Sequence, residues 1–235
     1  MNDKIKGVVL RIYDYKDNDQ MMYVLSEEYG MLSLIAKGSK KITSKHHFFD
    51  ACLYEFIIDY KDNKSIYSIH GSKLLKSYYE LDDTKMMAFK NIVLEAIIKS
   101  KDVLDYDSYP NLLIYLDNLN KENKYLLGSL YFSYLCRLHG IMPNVDECVI
   151  CKKKKVVSVS NRFGGFVCEE HASGLDLLDV DTLKKFRLII KAQFKDLDLI
   201  KDNIYNFSDF KLIIDFFCMN SGLNLKTYEF YKIIN

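Results

Sequence analysis

The chain has 235 residues, of which 49% are hydrophobic and 28% are charged, and its formal net charge at pH 7 is +1. This length accommodates two modest domains, each with an apolar core. The two prolines and ten glycines argue against long disordered linkers. The near-zero net charge excludes a uniformly basic protein, so attraction to a charged partner would have to come from a local patch.

The N-terminal residues and the cysteines indicate a reduced, cytoplasmic protein. The first four residues lead directly into a strand-like run without the features of a signal peptide. No apolar stretch approaches the about 20 residues that a membrane span needs. Cys52, Cys136 and Cys218 lie within apolar runs, as is typical of buried thiols. We therefore expect a cytoplasmic location, free cysteines and no association with a membrane.

The first 80 residues follow the pattern of β-strands. Runs rich in β-branched and aromatic residues alternate with polar or glycine-containing turns, and they lie at 7–13, 21–25, 31–36, 53–60, 65–70 and 74–79. Such runs predict about five strands, with the last run closing the set. Because no segment of helical length separates most of them, a small barrel is favoured over an open parallel sheet.

After Leu81 the apolar period becomes helical. The predicted helix ends carry residues typical of caps, first turns and stops: Asp82 or Asp83, Pro110, Gly140, Asp181, Ser208 and Gly222. The predicted fold class is therefore α+β, with a β-barrel domain at 1–80 and an α-helical domain at 81–235. A metal-binding segment is inserted into the second domain at about 145–172.

The most specific chemical signal is formed by Cys148, Cys151, Cys168 and His171. Their spacing, C-x2-C, sixteen residues and C-x2-H, is typical of two knuckles that together bind one tetrahedral Zn²⁺. Four protein ligands leave no position for water, so the pattern predicts one structural zinc ion and argues against metal catalysis. The alternatives are a disulfide or four unrelated side chains.

A basic loop follows the third predicted strand. No acidic residue occurs between Glu28 and Asp50, and this interval contains Lys37, Lys40, Lys41 and Lys45. Flexible lysines suit phosphate oxygens, and a barrel beside such a loop is a common platform for single-stranded nucleic acid. We expect these lysines, together with Arg11, to contact phosphates. The alternative is an ordinary solvated loop.

Several other residues have more than one interpretation. The candidates for stacking on bases are Tyr13, Tyr15, Tyr23 and Tyr29, and each of them is also compatible with a barrel core or surface position. The lysine run at 152–155 is compatible with a DNA contact or with an exposed metal hairpin. None of the nucleotide-binding, hydrolase or zinc-protease motifs occurs, so we expect no enzymatic activity.

Short motifs follow one another in a specific order along nearly the whole chain: GVVL at 7–10, YGML at 29–32, KGSKK at 37–41, RLHGIMPN at 137–144, GGFVC at 164–168 and LKTYEF at 225–230. Together, their order and distances resemble the RecO family of bacterial recombination-repair mediators. One departure is His171, which stands where the family usually has a fourth cysteine.

The resemblance implies an N-terminal OB-fold followed by a helical domain with an inserted zinc ribbon. It also implies binding to single- and double-stranded DNA, annealing of complementary strands, and contacts with RecR and the single-stranded-DNA-binding protein. The expected outcome is loading of RecA onto coated single strands. The competing hypotheses are a zinc-ribbon protein–protein adaptor that does not bind nucleic acid, and a metal-dependent hydrolase.

Overall fold

A computed structural model describes residues 3–44, 47–61, 64–78 and 83–235. Its contacts divide the chain into two compact units. The barrel unit comprises Met1–Asp117 with Lys226–Asn235, and the helical unit comprises Asn118–Leu225. The predicted α+β class, a barrel followed by helices, is confirmed. The strands of the barrel end at Ser77, whereas the barrel unit also includes later helices, so the domain boundary near residue 80 stays a prediction.

The barrel unit is built on a closed sheet with the strand order β1-β2-β3-β5-β4. The strands are β1 (Asp3–Tyr15), β2 (Asp19–Ser26), β3 (Gly30–Ala36), β4 (Cys52–Ile58) and β5 (Tyr67–Ser77). All pairings are antiparallel except that of β3 with β5, where Leu34 lies opposite Tyr67. This is a small five-stranded barrel of the OB-fold type. The two runs predicted at 65–70 and 74–79 contribute to one continuous strand, β5, which pairs with β3 at Tyr67 and Ser68 and with β4 from Ile69 to Ser77.

The interior of the barrel is filled by the inward-facing side chains of every strand. Val9, Met22, Val24, Leu34 and Phe56 are completely buried within one cluster. Since successive side chains of a strand point to opposite faces, the residues between them lie on the outside of the barrel. This alternation defines which side chains are available to a ligand.

Among the described residues, seven segments form α-helices: α1 (Thr84–Lys99), α2 (Ser108–Asn118), α3 (Lys124–Leu138), α4 (Val180–Lys191), α5 (Leu197–Ile200), α6 (Phe207–Ser221) and α7 (Lys226–Ile234). In the barrel unit, α1 packs against α7, with the rings of Phe89 and Tyr231 in edge contact at 5.4 Å. Asp83 caps α1 by accepting a hydrogen bond from the backbone N–H of Met86; the other candidate, Asp82, lies outside the described residues. Pro110 lies in the first turn of α2 rather than at its first position.

The helical unit contains α3 to α6, with α3 packed against α4 and α6. Gly222 ends α6 with φ +72°, as the sequence predicts. The prediction that Ser208 caps this helix is wrong. Asn206 is the cap, because its side chain accepts from the backbone N–H of Asp209 at 3.0 Å while Asp209 accepts from that of Asn206 at 2.9 Å.

Two short strands, β6 (Ser158–Ser160) and β7 (Gly165–Val167), form a hairpin in the inserted segment of the helical unit. No helix among the described residues is long and apolar enough to cross a membrane.

Candidate metal centre and nucleic-acid interface

The inserted segment brings the four predicted metal ligands together. The donor atoms of Cys148, Cys151, Cys168 and His171 all lie within 4.8 Å of one another. The Sγ atoms of Cys151 and Cys168 are 3.6 Å apart, and Nδ1 of His171 lies 3.3 Å from Sγ of Cys168 and 3.6 Å from Sγ of Cys148. These distances are too long for disulfides, and all four cysteine and histidine side chains point to one centre.

The donor separations fit a tetrahedral zinc ion. Bond lengths of about 2.3 Å to sulfur and 2.0–2.1 Å to nitrogen give tetrahedral edges of about 3.5–3.8 Å, close to the 3.3–3.6 Å separations present here. The cluster can therefore hold a metal ion through three thiolates and one imidazole. Because four protein donors complete a tetrahedron, this arrangement leaves no position for a reactive water.

Local backbone contacts explain why the first knuckle presents its thiols. The N–H of Cys148 donates to the carbonyl of Lys153, and the N–H of Lys152 donates to the carbonyl of Cys148, both at 2.9 Å. Lys152 adopts φ +64° to close this turn. Burial raises the pKa of the Cys148 thiol, but backbone hydrogen bonds of Cys151, Cys168 and Ile150 outweigh burial and lower that pKa to about 6. A thiolate, the form that binds metal, is thus favoured at neutral pH.

The hairpin positions the second knuckle. Cys168 directly follows β7, whose central residue Phe166 donates its N–H to the carbonyl of Asn144 at 2.9 Å. Gly165 adopts φ +150°, and a Cβ atom there would overlap the backbone of Asn144. Gly165 thus allows the chain before the first knuckle to pair closely with the hairpin.

Three of the four lysines at 152–155 form ion pairs with nearby carboxylates. Lys152 and Lys154 form ion pairs with Glu147 at 3.6 and 3.0 Å, and Lys153 forms an ion pair with Glu170. These pairs reduce the net positive charge that the sequence places beside the metal centre. Of the two interpretations of this run, an exposed metal hairpin is favoured.

A second group of predicted residues lies on the outside of the barrel. The register of β1, β2 and β3 places Arg11, Tyr23 and Ser33 in one row and Tyr13, Met21 and Ile35 in the next. The rings of Tyr13 and Tyr23 are in edge contact, with centroids 5.6 Å apart. We call these two rows the barrel face. They combine a guanidinium with two phenol rings on adjacent strands.

The basic loop is attached to the turn between β1 and β2. The N–H of Gly38 donates to the carboxylate of Asp19 at 2.8 Å, and the N–H of Lys40 donates to the carbonyl of Asn18 at 3.0 Å. The hydroxyl of Ser39 donates to the side-chain oxygen of Gln20 at 3.0 Å. These contacts bring the loop beside the end of β1. Asp19 and Gln20 were not identified from the sequence, because only their distance in space from the loop reveals this role.

The structure corrects one expectation about this loop, namely that its lysines are unopposed. Nζ of Lys40 lies 2.8 Å from a carboxylate oxygen of Asp14 in β1. In the part of the chain that the structure describes, Arg11, Lys37 and Lys41 are exposed and form no ion pair. Lys45 lies outside the described residues.

The tyrosines proposed for stacking differ in their surroundings. Tyr13, Tyr15 and Tyr29 expose 42%, 38% and 38% of their surface. Tyr29 also stacks on Tyr60 with ring centroids 4.0 Å apart and donates its hydroxyl to Asp3 at 3.2 Å. Tyr29 thus has one ring face covered within the protein. Tyr13 and Tyr23 are the two candidates that lie on the barrel face.

Comparison with known proteins agrees with this architecture. Residues 1–78 match the family described as "Recombination protein O N terminal". The DNA repair protein RecO of Caldanaerobacter subterraneus subsp. tengcongensis is 28% identical over 209 residues, which cover 84% of this chain and 83% of the relative. That of Clostridium perfringens is 29% identical, with 70% of each chain covered. That of Caldicellulosiruptor bescii is 22% identical, with 98% of each chain covered.

None of these relatives bears the name of an enzyme. The matches extend beyond the barrel, since that to the Caldicellulosiruptor protein includes the metal centre and the C-terminal helix. The N-terminal barrel matches the RecO family model, and the chain as a whole is similar in sequence to DNA repair proteins named RecO.

Proposed function

We propose that this protein is a non-enzymatic DNA-binding mediator of recombinational repair. In this role it binds single- and double-stranded DNA, anneals complementary strands and, together with RecR, helps to load RecA onto single strands coated with the single-stranded-DNA-binding protein. The observation that carries the proposal is the barrel face, where cationic and aromatic side chains lie together on an OB-type barrel. The similarity of the chain to DNA repair proteins named RecO supports the same proposal.

The chemistry of the barrel face and of the adjoining basic loop suits a single strand. Arg11 on the face and Lys37 and Lys41 in the loop are exposed cations that form no ion pair in the described structure, so they are available to phosphate oxygens. Tyr13 and Tyr23 offer aromatic surface, and stacking of one base on such a ring is worth about 1–3 kcal/mol. Because stacking and phosphate contacts read no base edges, this mode of binding tolerates any sequence.

Lys40 can contact DNA in this site only when its ion pair with Asp14 is broken. Its ion pair with Asp14 is solvent-exposed, since the two side chains retain 34% and 69% of their accessible surface. Exposed pairs of this kind contribute about 0–1 kcal/mol, so a DNA phosphate can replace Asp14 at small cost. Lys45 remains a proposed phosphate contact on the basis of the sequence alone.

The metal centre has a structural role in this proposal. We infer that Cys148, Cys151, Cys168 and His171 hold one Zn²⁺, which ties the first knuckle to the end of β7. The buried apolar cluster here is small: besides the ligands Cys148 and Cys168, it contains Val167 and Ala172. Metal coordination therefore supplies rigidity that such a core does not provide by itself.

A specific observation favours a second candidate, a zinc-ribbon adaptor that contacts proteins and not DNA. Three of the four lysines beside the metal centre form ion pairs with Glu147 or Glu170, which reduces the positive charge that the metal hairpin offers to phosphates. The two candidates differ in the barrel face, which an adaptor would not use for DNA.

The experiment that tests the proposal is fluorescence anisotropy with a labelled single-stranded oligonucleotide. We expect the double variant Arg11→Glu with Lys41→Glu to bind at least tenfold more weakly than the wild type. The matched control is Lys184→Glu with Lys195→Glu, two exposed lysines of the helical unit, which changes the net charge equally and should alter affinity less than twofold. Equal effects of both variants, or no binding by the wild type, would contradict the proposal.

A further inference from the structure

A cavity of about 330 Å³ lies within the barrel unit, where β1 faces α1 and α7. Its apolar surface comes from Leu10, Leu94 and Ile98, and three cationic residues line it, Arg11, Lys99 and Lys226. The volume falls at the lower end of the range of about 300–1,000 Å³ that is typical of small-ligand sites. The cavity therefore combines an apolar wall with positive charge.

A β-bulge directs β1 towards this cavity. In the register of β1 with β2, Val9 lies opposite Val24 and Arg11 lies opposite Tyr23, so Leu10 is left without a partner. A bulge inserts one residue and changes the direction of the side chains that follow it. As a result, Leu10 and Arg11 both line the cavity, although alternation would place them on opposite faces.

The charges that line the cavity are only partly matched. Glu95 is engaged by the ammonium group of Lys99 at 3.0 Å and by the N–H groups of Lys226 and Thr227. In the described part of the chain, the side chains of Arg11 and Lys226 form no ion pair. Two cations are thus available to an anionic ligand.

The apolar wall and the two available cations together restrict the kinds of ligand that fit the cavity. A free phosphate would leave the apolar wall uncovered, and a hydrocarbon would leave the cations unmatched. A nucleotide matches both, because it has a flat, largely apolar base and an anionic phosphate. Tyr13 also lines the cavity and has an exposed ring, which suits stacking on a base.

We propose that this cavity binds one nucleotide, with the base against Leu94 and Ile98 and the phosphate between Arg11 and Lys226. Arg11 and Tyr13 belong both to the barrel face and to the cavity. A strand that follows the barrel face therefore reaches the cavity at Arg11 and Tyr13. This inference rests on the proposed DNA-binding function and extends its site to α1 and α7, which nothing in the sequence had indicated.

The direct test is photocrosslinking of the full-length protein to a single strand that carries 5-iododeoxyuridine, followed by mass spectrometry. We expect crosslinked peptides from α1 or α7, at residues 91–99 or 226–227. Crosslinks confined to the barrel strands would overturn the inference and leave the proposed function intact. A protein that binds no single strand at all would overturn both.

Two variants provide an independent test by anisotropy. Lys226→Ala removes an available cation, and Ile98→Trp fills the cavity without changing the charge; each should weaken binding about threefold to tenfold. The control is Lys85→Ala, an exposed lysine in the first turn of α1 outside the cavity lining, which should change affinity less than twofold. If Lys226→Ala and Ile98→Trp bound the single strand with the same affinity as the control Lys85→Ala, the inference would be overturned.

A fluorescent reporter distinguishes binding of a free nucleotide from binding of one nucleotide within a strand. The chain contains no tryptophan, so Tyr13→Trp introduces a single indole at the edge of the cavity. Quenching by thymidine 5′-monophosphate alone would assign a site for free nucleotides, and quenching by oligonucleotide alone would assign a site for one unit of a strand, which is the expected result. Quenching by neither would contradict the inference.

Discussion

The carboxylate of Glu95 in α1 caps the first turn of α7 through contacts with Thr227. Oε2 of Glu95 accepts the backbone N–H of Thr227 at 2.8 Å and its hydroxyl at 2.6 Å, and Oε1 accepts the N–H of Lys226 at 3.1 Å. Helix N-termini have N–H groups without intrahelical partners and attract negative charge. One side chain thus attaches the C-terminal helix to a helix more than 100 residues earlier in the chain.

Replacing Glu95 by glutamine should destabilise the protein at pH 7 by about 1–2 kcal/mol. The amide is uncharged, and it has a single acceptor oxygen where the carboxylate has two. The effect should depend on pH. Burial raises the pKa of Glu95, but the hydrogen bonds from Thr227 and the ion pair with Lys99 outweigh burial and hold the pKa below its usual value of 4.5.

A carboxyl group whose pKa is lowered on folding stabilises the protein above its unfolded pKa and loses that contribution as pH falls through its folded pKa. Chemical denaturation of wild type and Glu95→Gln should therefore give a difference that is complete at pH 7 and disappears in acid below pH 4.5. A difference that stayed constant down to pH 3 would show that the charge of Glu95 does not stabilise α7.

Gly165→Ala should destabilise the helical unit by about 3 kcal/mol, since the added Cβ would overlap the backbone of Asn144. Gly164→Ala is the matched control. Gly164 also adopts a positive φ, +79°, but a Cβ there meets nothing within 4 Å, so we expect a cost of only about 1 kcal/mol. Thermal unfolding of both variants measures the difference, and equal costs would contradict the close pairing of the hairpin with Asn144.

Protein purified without chelator should contain about one zinc ion per chain, as measured by elemental analysis. Cys148→Ser should lower both the zinc content and the unfolding temperature, because a hydroxyl is a poor replacement for a thiolate ligand. Cys52→Ser, a substitution in the barrel and outside the cluster, should retain the metal. Absence of zinc from the wild type, or loss of zinc from both variants, would argue against the assigned ligands.

Asp14→Asn should strengthen the binding of single-stranded DNA by about twofold to fivefold, because it releases Lys40 from an exposed ion pair and removes one negative charge. For the same reason, Lys40→Ala should weaken binding less than Lys41→Ala. Anisotropy titrations at low salt measure both effects, since screening reduces them at high salt. Unchanged affinity in Asp14→Asn would place Lys40 outside the DNA site.

The sequence predicted those features of the fold that depend on local pattern. Runs rich in β-branched and aromatic residues predicted the strands, and the spacing of the two knuckles predicted the cluster of metal ligands. The parallel contact of β3 with β5 could not be predicted, because it joins segments more than 30 residues apart. The cap at Ser208 was wrong because Asn206 and Asp209 form a reciprocal pair that competes with it.

The electrostatics of the candidate site were less predictable than the fold. The interval that lacks acidic residues identified the basic loop, but the contact of Lys40 with Asp14 depends on how the loop folds back on the first hairpin. The packing of α7 in the barrel unit could not be predicted for the same reason, since its attachment to Glu95 links residues that are distant in sequence. Patterns of neighbouring residues do not report such contacts.

The salt dependence of single-strand binding measures whether the cations of the barrel face and the basic loop neutralise DNA phosphates. Each phosphate that a cation neutralises contributes about 0.7 to the slope of log affinity against log salt concentration. The triple variant Arg11→Ala, Lys37→Ala and Lys41→Ala should therefore reduce the magnitude of the slope by about 2 relative to the wild type. An identical slope in both proteins would contradict the assignment of the barrel face and the basic loop as the DNA-binding site.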